Sequence, residues 1–200
     1  MSLLCVSITD PNIDSAMASV RAAAQSGADI VELRLDLLTS VTADHVGSLI
    51  KTARRESIQT LATCRCRSEG GQWKGSEAQR LAVIVAAARS GADYIDVEYE
   101  TWRTTPDLVQ QLAPLRSAST QLILSKHNFE HTPAELSDVF DQIAGMDADI
   151  VKFAAKAEWI TDAVRMLDAT LASAQKRPTI GICMGEAGVM TRILAKNIGG

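Results

Sequence analysis

The chain has 200 residues, 46% of them hydrophobic and 22% charged, which is enough for one domain with a buried core. Its net charge is −4 and it contains no block of basic residues, so neither nucleic acid nor a membrane surface is an expected partner. The sequence shows no apolar run of membrane-spanning length and no signal-peptide pattern, and we expect a cytoplasmic protein.

Short runs rich in β-branched residues predict strands, and stretches of helical length lie between them. The predicted strands cover residues 3–8, 29–36, 59–66, 94–99, 121–127, 149–155 and 179–184. The predicted helices cover residues 12–26, 76–90, 133–144, 158–174 and 186–197. This alternation of strand and helix predicts a parallel sheet covered by helices.

A faint internal repeat indicates a recurring strand–helix unit. The segment QSGADIVELRLD (25–36) is similar to RSGADYIDVEYE (89–100), with Gly27 and Gly91 placed to end the preceding helices. The spacing predicts an α/β fold of the (β/α)8 TIM-barrel type with only seven βα units evident, as a single incomplete β/α barrel domain over residues 1–200. A doubly wound open sheet is the alternative, but no G-x-G-x-x-G follows the first strand.

The cysteines do not suggest a metal site. Cys5, Cys64, Cys66 and Cys183 each lie in or beside an apolar run, which predicts reduced, buried thiols. One C-x-C pair with three scattered histidines is a poor match to zinc-ligand spacing, so we predict no metal.

Charged side chains alternate with apolar ones at the ends of two predicted strands. In VELRLDL the residues Glu32, Arg34 and Asp36 share one strand face, and YIDVEYE repeats the pattern with Asp96, Glu98 and Glu100. A solvated face of an antiparallel sheet would explain this pattern. In a parallel barrel the same side chains would point into the mouth, where barrel enzymes have their active sites.

Lys152 lies in the otherwise apolar run DIVKFAAK. Strand parity places it opposite Val151 and Phe153, so that it would point into the barrel. Dry surroundings would lower the pKa of its amine, and a neutral amine can form a Schiff base with a ketone.

Two neighbouring segments could complete such a site. His127 lies near the end of the preceding strand, as either a structural histidine or a general acid/base. In TCRCRSEGG, Arg65 and Arg67 precede Glu69, as either a polar surface loop or an anion-binding rim. Together with Lys152 these residues predict a lyase or a class I aldolase, chemistry that requires no metal and no organic cofactor.

Five separated segments resemble the type I 3-dehydroquinate dehydratase family: VELRLDLL, TCRCRSEGG, SKHNFEHTP, DIVKFA and GICMGEAGVMTRIL. The resemblance implies a hydro-lyase of the shikimate pathway, which serves aromatic amino acid biosynthesis. Such an enzyme removes water from 3-dehydroquinate through a lysine Schiff base and yields 3-dehydroshikimate. The resemblance implies a small-molecule substrate, no cofactor and a homodimer.

The resemblance also implies a role for each site residue. Lys152 would form the imine, His127 would act as general acid/base, and Glu69 would orient that histidine. The residues implied to bind substrate are Ser7, Glu32, Arg34, Arg65, Met184 and Arg192, of which Arg192 would pair with the substrate carboxylate.

Two alternatives stay open at this point: a class I Schiff-base aldolase-like lyase, and a truncated non-catalytic remnant of the dehydratase. The family continues into an eighth strand, a mobile loop and a last helix, whereas this sequence ends at AKNIGG. We expect truncation rather than a barrel completed by a partner chain.

Overall fold

The computed structural model describes residues 3–116 and 119–198. Its strands are β1 (Cys5–Ile8), β2 (Ile30–Arg34), β3 (Gln59–Thr63), β4 (Tyr94–Glu98), β5 (Gln121–Asn128), β6 (Ile150–Lys156) and β7 (Thr179–Met184). Its helices are α1 (Ile13–Gln25), α2 (Ala43–Arg55), α3 (Glu77–Arg89), α4 (Tyr99–Thr104), α5 (Pro106–Arg116), α6 (Leu136–Ala144), α7 (Ile160–Ala174) and α8 (Val189–Ile198). Among these described helices, none is both long and apolar enough to cross a bilayer.

The chain divides into two compact units. The N-terminal unit comprises residues 3–97 and 104–122, and the described part of the C-terminal unit comprises residues 98–103 and 123–198. The prediction of a single domain over residues 1–200 stays a prediction.

In the N-terminal unit, β1, β2, β3 and β4 pair in chain order and run parallel. Val31 and Leu33 of β2 are almost completely buried, whereas the alternating residues Glu32 and Arg34 are partly exposed. The register pairs Ser7 with Glu32, so charged and polar side chains of successive strands lie on one shared face.

In the C-terminal unit, β5, β6 and β7 also pair in chain order and run parallel. Phe153 of β6 is buried and packs edge-to-face on Phe140 of α6, with 6.2 Å between the ring centroids. This packing confirms the predicted parity of β6, because Phe153 points to the helix layer and Lys152 therefore points away from it.

The predicted strands are all present, although several are shorter than predicted. The largest differences are at β2 and β3, and β2 ends at Arg34 because Leu35–Leu37 forms a short 3-10 helix. Asp36 is consequently buried within this turn, and the prediction that it shares a strand face with Glu32 is wrong. The corresponding prediction for Glu100 is also wrong, since Glu100 lies in α4 and pairs with Arg103 there.

The predicted helices are present, and α2, α4 and α5 were not predicted. α6 begins at Leu136 rather than at Pro133, because the carbonyls of Pro133 and Ala134 accept hydrogen bonds from Arg165 of α7 instead. Gly27 and Gly91 have φ values of 84° and 83°, which confirms their predicted place after helix ends.

The four cysteines are thiols rather than members of disulfide bonds. Cys64 and Cys183 are buried as predicted, Cys66 is half-buried, and the prediction is wrong for Cys5, which is exposed on β1. Burial raises the pKa of the Cys183 thiol above its ordinary value.

Gly181 of β7 packs against α7 with no room for a side chain. A Cβ atom at this position would lie 1.8 Å from Thr170 Oγ1 and 3.2 Å from Met166 Sδ. We expect Gly181→Ala to lower the free energy of unfolding by about 1–3 kcal/mol, because the added methyl group overpacks the interface. Urea denaturation measures this change.

Gly145→Ala is the matched control in the same unit. Its Cβ would lie 3.6 Å from its nearest neighbours, and its φ of −67° suits any residue. We expect its stability to stay within about 1 kcal/mol of the parent protein. Equal unfolding midpoints for the two variants would contradict the close approach of β7 and α7.

Candidate active site

Lys152 lies within β6, on the face that points away from the helix layer. Its register neighbours are Ser125 on β5 and Ile180 on β7. The residues before and after it, Val151 and Phe153, are buried, whereas Lys152 itself is half-buried. The Lys152 side chain is therefore partly accessible on this face.

His127 lies on the same face of the same unit. It pairs in register with Ala154, so it is one strand across and two residues along from Lys152. With parallel strands about 4.8 Å apart, this offset corresponds to roughly 8 Å between the two Cα atoms. Two side chains at this separation can contact the same small molecule. The imidazole stacks on Phe129, with 6.4 Å between the ring centroids.

The other two lysines near this face are placed differently. Lys126 pairs in register with Phe153, and its Nζ lies 5.6 Å from the centroid of the Tyr99 ring, a cation–π distance. Lys156 is exposed at the end of β6. Of these three lysines, Lys152 is therefore the one that lies half-buried within β6, on the face away from the helix layer.

Met184 and Arg192 lie at the C-terminal end of β7. Met184 has the same strand parity as Ile180 and is half-buried. Arg192 of α8 is exposed, and its Nη1 donates to the carbonyl of Cys183 at 3.1 Å. This bond holds the guanidinium beside the strand end and leaves its other N–H groups for further contacts.

Glu32 lies between two hydroxyl groups of the N-terminal unit. Ser7 Oγ of β1 donates to Glu32 Oε2, and Thr63 Oγ1 of β3 donates to Glu32 Oε1 at 2.9 Å. The carboxylate is thereby fixed across three neighbouring strands. The structure thus brings together two of the predicted site residues, Ser7 and Glu32, and adds Thr63.

Arg34 forms a two-pronged ion pair with Asp36. Its Nε and Nη2 donate to the two carboxylate oxygens at 3.0 Å and 2.9 Å. The hydrogen bond to Asp36 raises the pKa of Arg34, and the charge of Glu32 acts in the same direction. Arg34 therefore stays charged and oriented close to Glu32.

Arg65 is buried rather than placed on an exposed rim. Its Nη1 lies 2.9 Å from Asp96 Oδ1, and the two residues are 4% and 1% exposed. Arg67 is exposed instead, and its Nε donates to the carbonyl of Trp73 at 2.7 Å. Of the two arginines, Arg65 thus belongs to a buried charge cluster and Arg67 to a surface loop.

Glu69 ends the 3-10 helix Arg67–Glu69, which follows β3. Its backbone N–H donates to the carbonyl of Cys66 at 3.2 Å, and the residue is half-buried. The predicted role of Glu69 in orienting His127 stays a prediction.

Four polar residues of these clusters were not among the predicted site residues: Asp36, Thr63, Asp96 and Ser125. Asp36 and Asp96 were noticed as charges on strand ends, but the partner of Asp96 could not be predicted from the pattern, because Arg65 follows a different strand. Ser125 could have been found, because it precedes His127 by two residues and therefore shares its strand face.

Within residues 3–116 and 119–198, no group of three His, Cys, Asp or Glu side chains is arranged to hold a metal ion. A cavity of about 670 Å³ opens in the N-terminal unit between the loop after β2 and the loop before α3, and Asp36 and Gln72 are among its lining residues. None of the predicted site residues lines this cavity. Asp36, which lines the cavity, is also the ion-pair partner of Arg34.

The sequence model of the family described as "Type I 3-dehydroquinase" matches residues 4–200. The chain belongs to this family. The resemblance stated from the five sequence segments is thereby confirmed, and membership favours a dehydratase over the aldolase-like alternative.

Family members with similar sequences come from bacteria and a plant. The chain is 36% identical over 201 residues to a 3-dehydroquinate dehydratase of Desulfotalea psychrophila, covering 98% of this chain and 84% of that protein. It is also 36% identical over 202 residues to a chloroplastic bifunctional 3-dehydroquinate dehydratase/shikimate dehydrogenase of Arabidopsis thaliana. All of this chain is covered in that match, but it spans only 32% of the longer protein.

The fold agrees with solved structures of the family. A crystal structure of 3-dehydroquinate dehydratase from Geobacillus kaustophilus is similar with a TM-score of 0.90 and 25% identity, over 100% of this chain and 80% of that one. The predicted fold class, an α/β fold of the (β/α)8 barrel type with seven βα units in this chain, is confirmed.

The buried pair of Arg65 and Asp96 gives a stability prediction. We expect Asp96→Ala to lower the free energy of unfolding by about 3–5 kcal/mol, because it leaves a buried guanidinium without this partner. Chemical denaturation followed by circular dichroism measures the change.

Asp141→Ala is the matched control for this prediction. Asp141 pairs with Lys176 at 3.5 Å, and both side chains are mostly exposed, so its loss is expected to cost less than about 1 kcal/mol. Similar losses for the two variants would show that the buried pair contributes no more than a surface pair.

Proposed function

We propose that this chain catalyses the dehydration of 3-dehydroquinate to 3-dehydroshikimate through an imine on Lys152. Family membership over residues 4–200 supports the hydro-lyase activity. The assignment of the catalytic residues is supported by one observation: Lys152 and His127 lie on the same face of neighbouring strands. This arrangement offers a nucleophilic amine next to a group that can move a proton.

In the proposed first step, the amine nitrogen of Lys152 attacks the C3 carbonyl of the substrate. Loss of water from the adduct forms a protonated imine, which withdraws electrons from the neighbouring carbon. The C–H bond at C2 becomes acidic, because the electron pair released from it is delocalised onto the imine nitrogen.

In the next steps, His127 takes the C2 proton and returns it to the departing C1 hydroxyl, which leaves as water. Hydrolysis of the remaining imine consumes one water, releases 3-dehydroshikimate and restores Lys152. One water is thus lost on forming the imine, one is consumed on breaking it, and one net water is eliminated from the substrate. We propose that Glu69 orients His127 during both proton transfers.

We propose substrate-binding roles for six further residues. Arg192 pairs with the substrate carboxylate, and Met184 packs against the substrate ring. The remaining proposed binding residues are polar and come from the N-terminal unit: Ser7, Glu32, Arg34 and Arg65. Their support is the network of mutual contacts that fixes Glu32 and Arg34.

We further propose a homodimer acting in the cytoplasm, within the shikimate pathway. The family resemblance supports the dimer, and so do apolar residues left exposed along one face of α7. Ile160, Val164 and Leu171 of this helix are 64%, 45% and 44% exposed.

Borohydride trapping tests the role of Lys152. In the presence of 3-dehydroquinate, reduction should convert the imine into a stable secondary amine and add the mass of the substrate to the peptide that contains Lys152. Peptide mass spectrometry locates the adduct. The Lys152→Met protein should give no adduct and no 3-dehydroshikimate.

Lys126→Met and Lys156→Met are the matched controls, because these lysines are close in sequence but placed differently. Both variants should trap substrate on Lys152 as the parent protein does. An adduct on either of these lysines would overturn the assignment, and a parent protein without turnover would favour the non-catalytic alternative.

His127→Ala tests the proton-transfer role. We expect this variant to form the imine with Lys152 but to release product about 10²–10⁴ times more slowly, because a positioned acid/base group contributes about this factor. The rise in ultraviolet absorbance of 3-dehydroshikimate measures turnover. A parent-like rate would rule out His127 as the acid/base.

A further inference from the structure

Asp36 is one of the most heavily hydrogen-bonded carboxylates of the N-terminal unit, although it was not a predicted site residue. Its Oδ1 accepts from Arg34 Nε at 3.0 Å and from the backbone N–H of Arg65 at 3.1 Å. Its Oδ2 accepts from Arg34 Nη2 at 2.9 Å and from the backbone N–H of Gln72 at 3.1 Å. Asp36 is only 4% exposed, so these protein donors compensate its charge.

These bonds tie both ends of the segment 65–72 to a single side chain. This segment is part of the loop between β3 and α3: Arg65 is its first residue, Gln72 is its last, and Glu69 lies between them. The loop folds back tightly on its own start: the N–H of Gly71 donates to the carbonyl of Cys66 at 2.9 Å, and a Cβ at Gly71 would lie 1.9 Å from the carbonyl oxygen of Arg65. The position of Glu69 is therefore fixed by contacts at both ends of its loop.

The charge of Asp36 is maintained despite its burial. Burial pushes the pKa of Asp36 upward, but the hydrogen bonds and charge of Arg34, with the N–H groups of Gln72 and Arg65, outweigh that effect and hold the pKa below its ordinary value. The side chain thus accepts all four hydrogen bonds as a carboxylate at neutral pH.

We propose that Asp36 is a positioning residue for the dehydration, which directs the Arg34 guanidinium and places the loop that carries Glu69. This inference rests on the proposed function, because Arg34 and Glu69 receive their roles there. Asp36 acts without touching the substrate: its oxygens are occupied by Arg34 and by the backbone of the loop.

Asp36→Asn tests the proposal, because the amide keeps the shape of the side chain but replaces one acceptor oxygen with an NH2 group. We expect kcat/KM to fall by about 100-fold, the size of effect that a small misplacement of binding and catalytic groups produces. KM should rise because Arg34 is released, and kcat should fall because Glu69 shifts. Borohydride should still trap the substrate on Lys152, which lies in the other unit.

Hydrogen–deuterium exchange provides a second measurement that needs no substrate. Peptides covering residues 65–72 should exchange faster in Asp36→Asn than in the parent protein, because the N–H groups of Arg65 and Gln72 lose their acceptor. An inactive parent protein would overturn the proposed function, whereas the exchange result would still decide whether Asp36 anchors the loop.

Asp93→Asn is the matched control in the same unit. Asp93 Oδ2 accepts from the backbone N–H and the hydroxyl of Thr60, at the start of β3 rather than at its end. This variant should lose stability but keep the parent KM, kcat and exchange over residues 65–72. An Asp36→Asn protein with parent kinetics, or with unchanged exchange in this loop, would overturn the proposal.

Arg34→Gln serves as a second variant if Asp36→Asn does not fold. It keeps Asp36 and both of its backbone bonds, so KM should rise while exchange over residues 65–72 stays unchanged. Faster exchange over residues 65–72 in Arg34→Gln would show that Asp36 does not hold the loop independently of Arg34, and would overturn the proposal.

Discussion

The parallel register of the strands is the constraint on which the candidate site depends. Helices cover one face of each strand, so polar side chains at alternate positions must all emerge on the other face. Register then decides which of them become neighbours. In the N-terminal unit it places Ser7 beside Glu32, and in the C-terminal unit it places Ser125 beside Lys152, with His127 two residues further along. The candidate chemistry follows from these pairings.

The two units satisfy their polar groups in different ways. In the N-terminal unit the charges are compensated locally, as in the buried pair of Arg65 and Asp96 and the two-pronged pair of Arg34 and Asp36. Such pairs fix side-chain geometry because a buried charge without a partner is costly. In the C-terminal unit, Lys152 lies in register between Ser125 and Ile180.

Local pattern was enough to predict the strands and the face of β6 on which Lys152 lies, but tertiary contacts decided the rest. The alternation in VELRLDL continues through Leu37, so nothing local marks the end of β2 at Arg34; the turn forms where Asp36 can reach Arg65 and Gln72. The sequence did contain a signal for the missed helix α2, since Thr42 caps it, accepting from the N–H of His45. The buried partner of Arg65 could not be predicted, because Asp96 is 31 residues away and meets it only through pairing of β3 and β4.

The hydrogen bond from Ser7 to Glu32 limits the groups with which the Ser7 hydroxyl can interact. A serine hydroxyl has one proton to give and two lone pairs to offer, and the proton of Ser7 is committed to Glu32. A ligand that approaches Ser7 therefore meets an acceptor and must supply the hydrogen itself. An alcohol can do so. A ketone or an ether oxygen has no hydrogen to donate, so its lone pairs would repel those of the Ser7 hydroxyl. In the proposed substrate complex, Ser7 would therefore accept a hydrogen bond, because its own proton is donated to the Glu32 carboxylate.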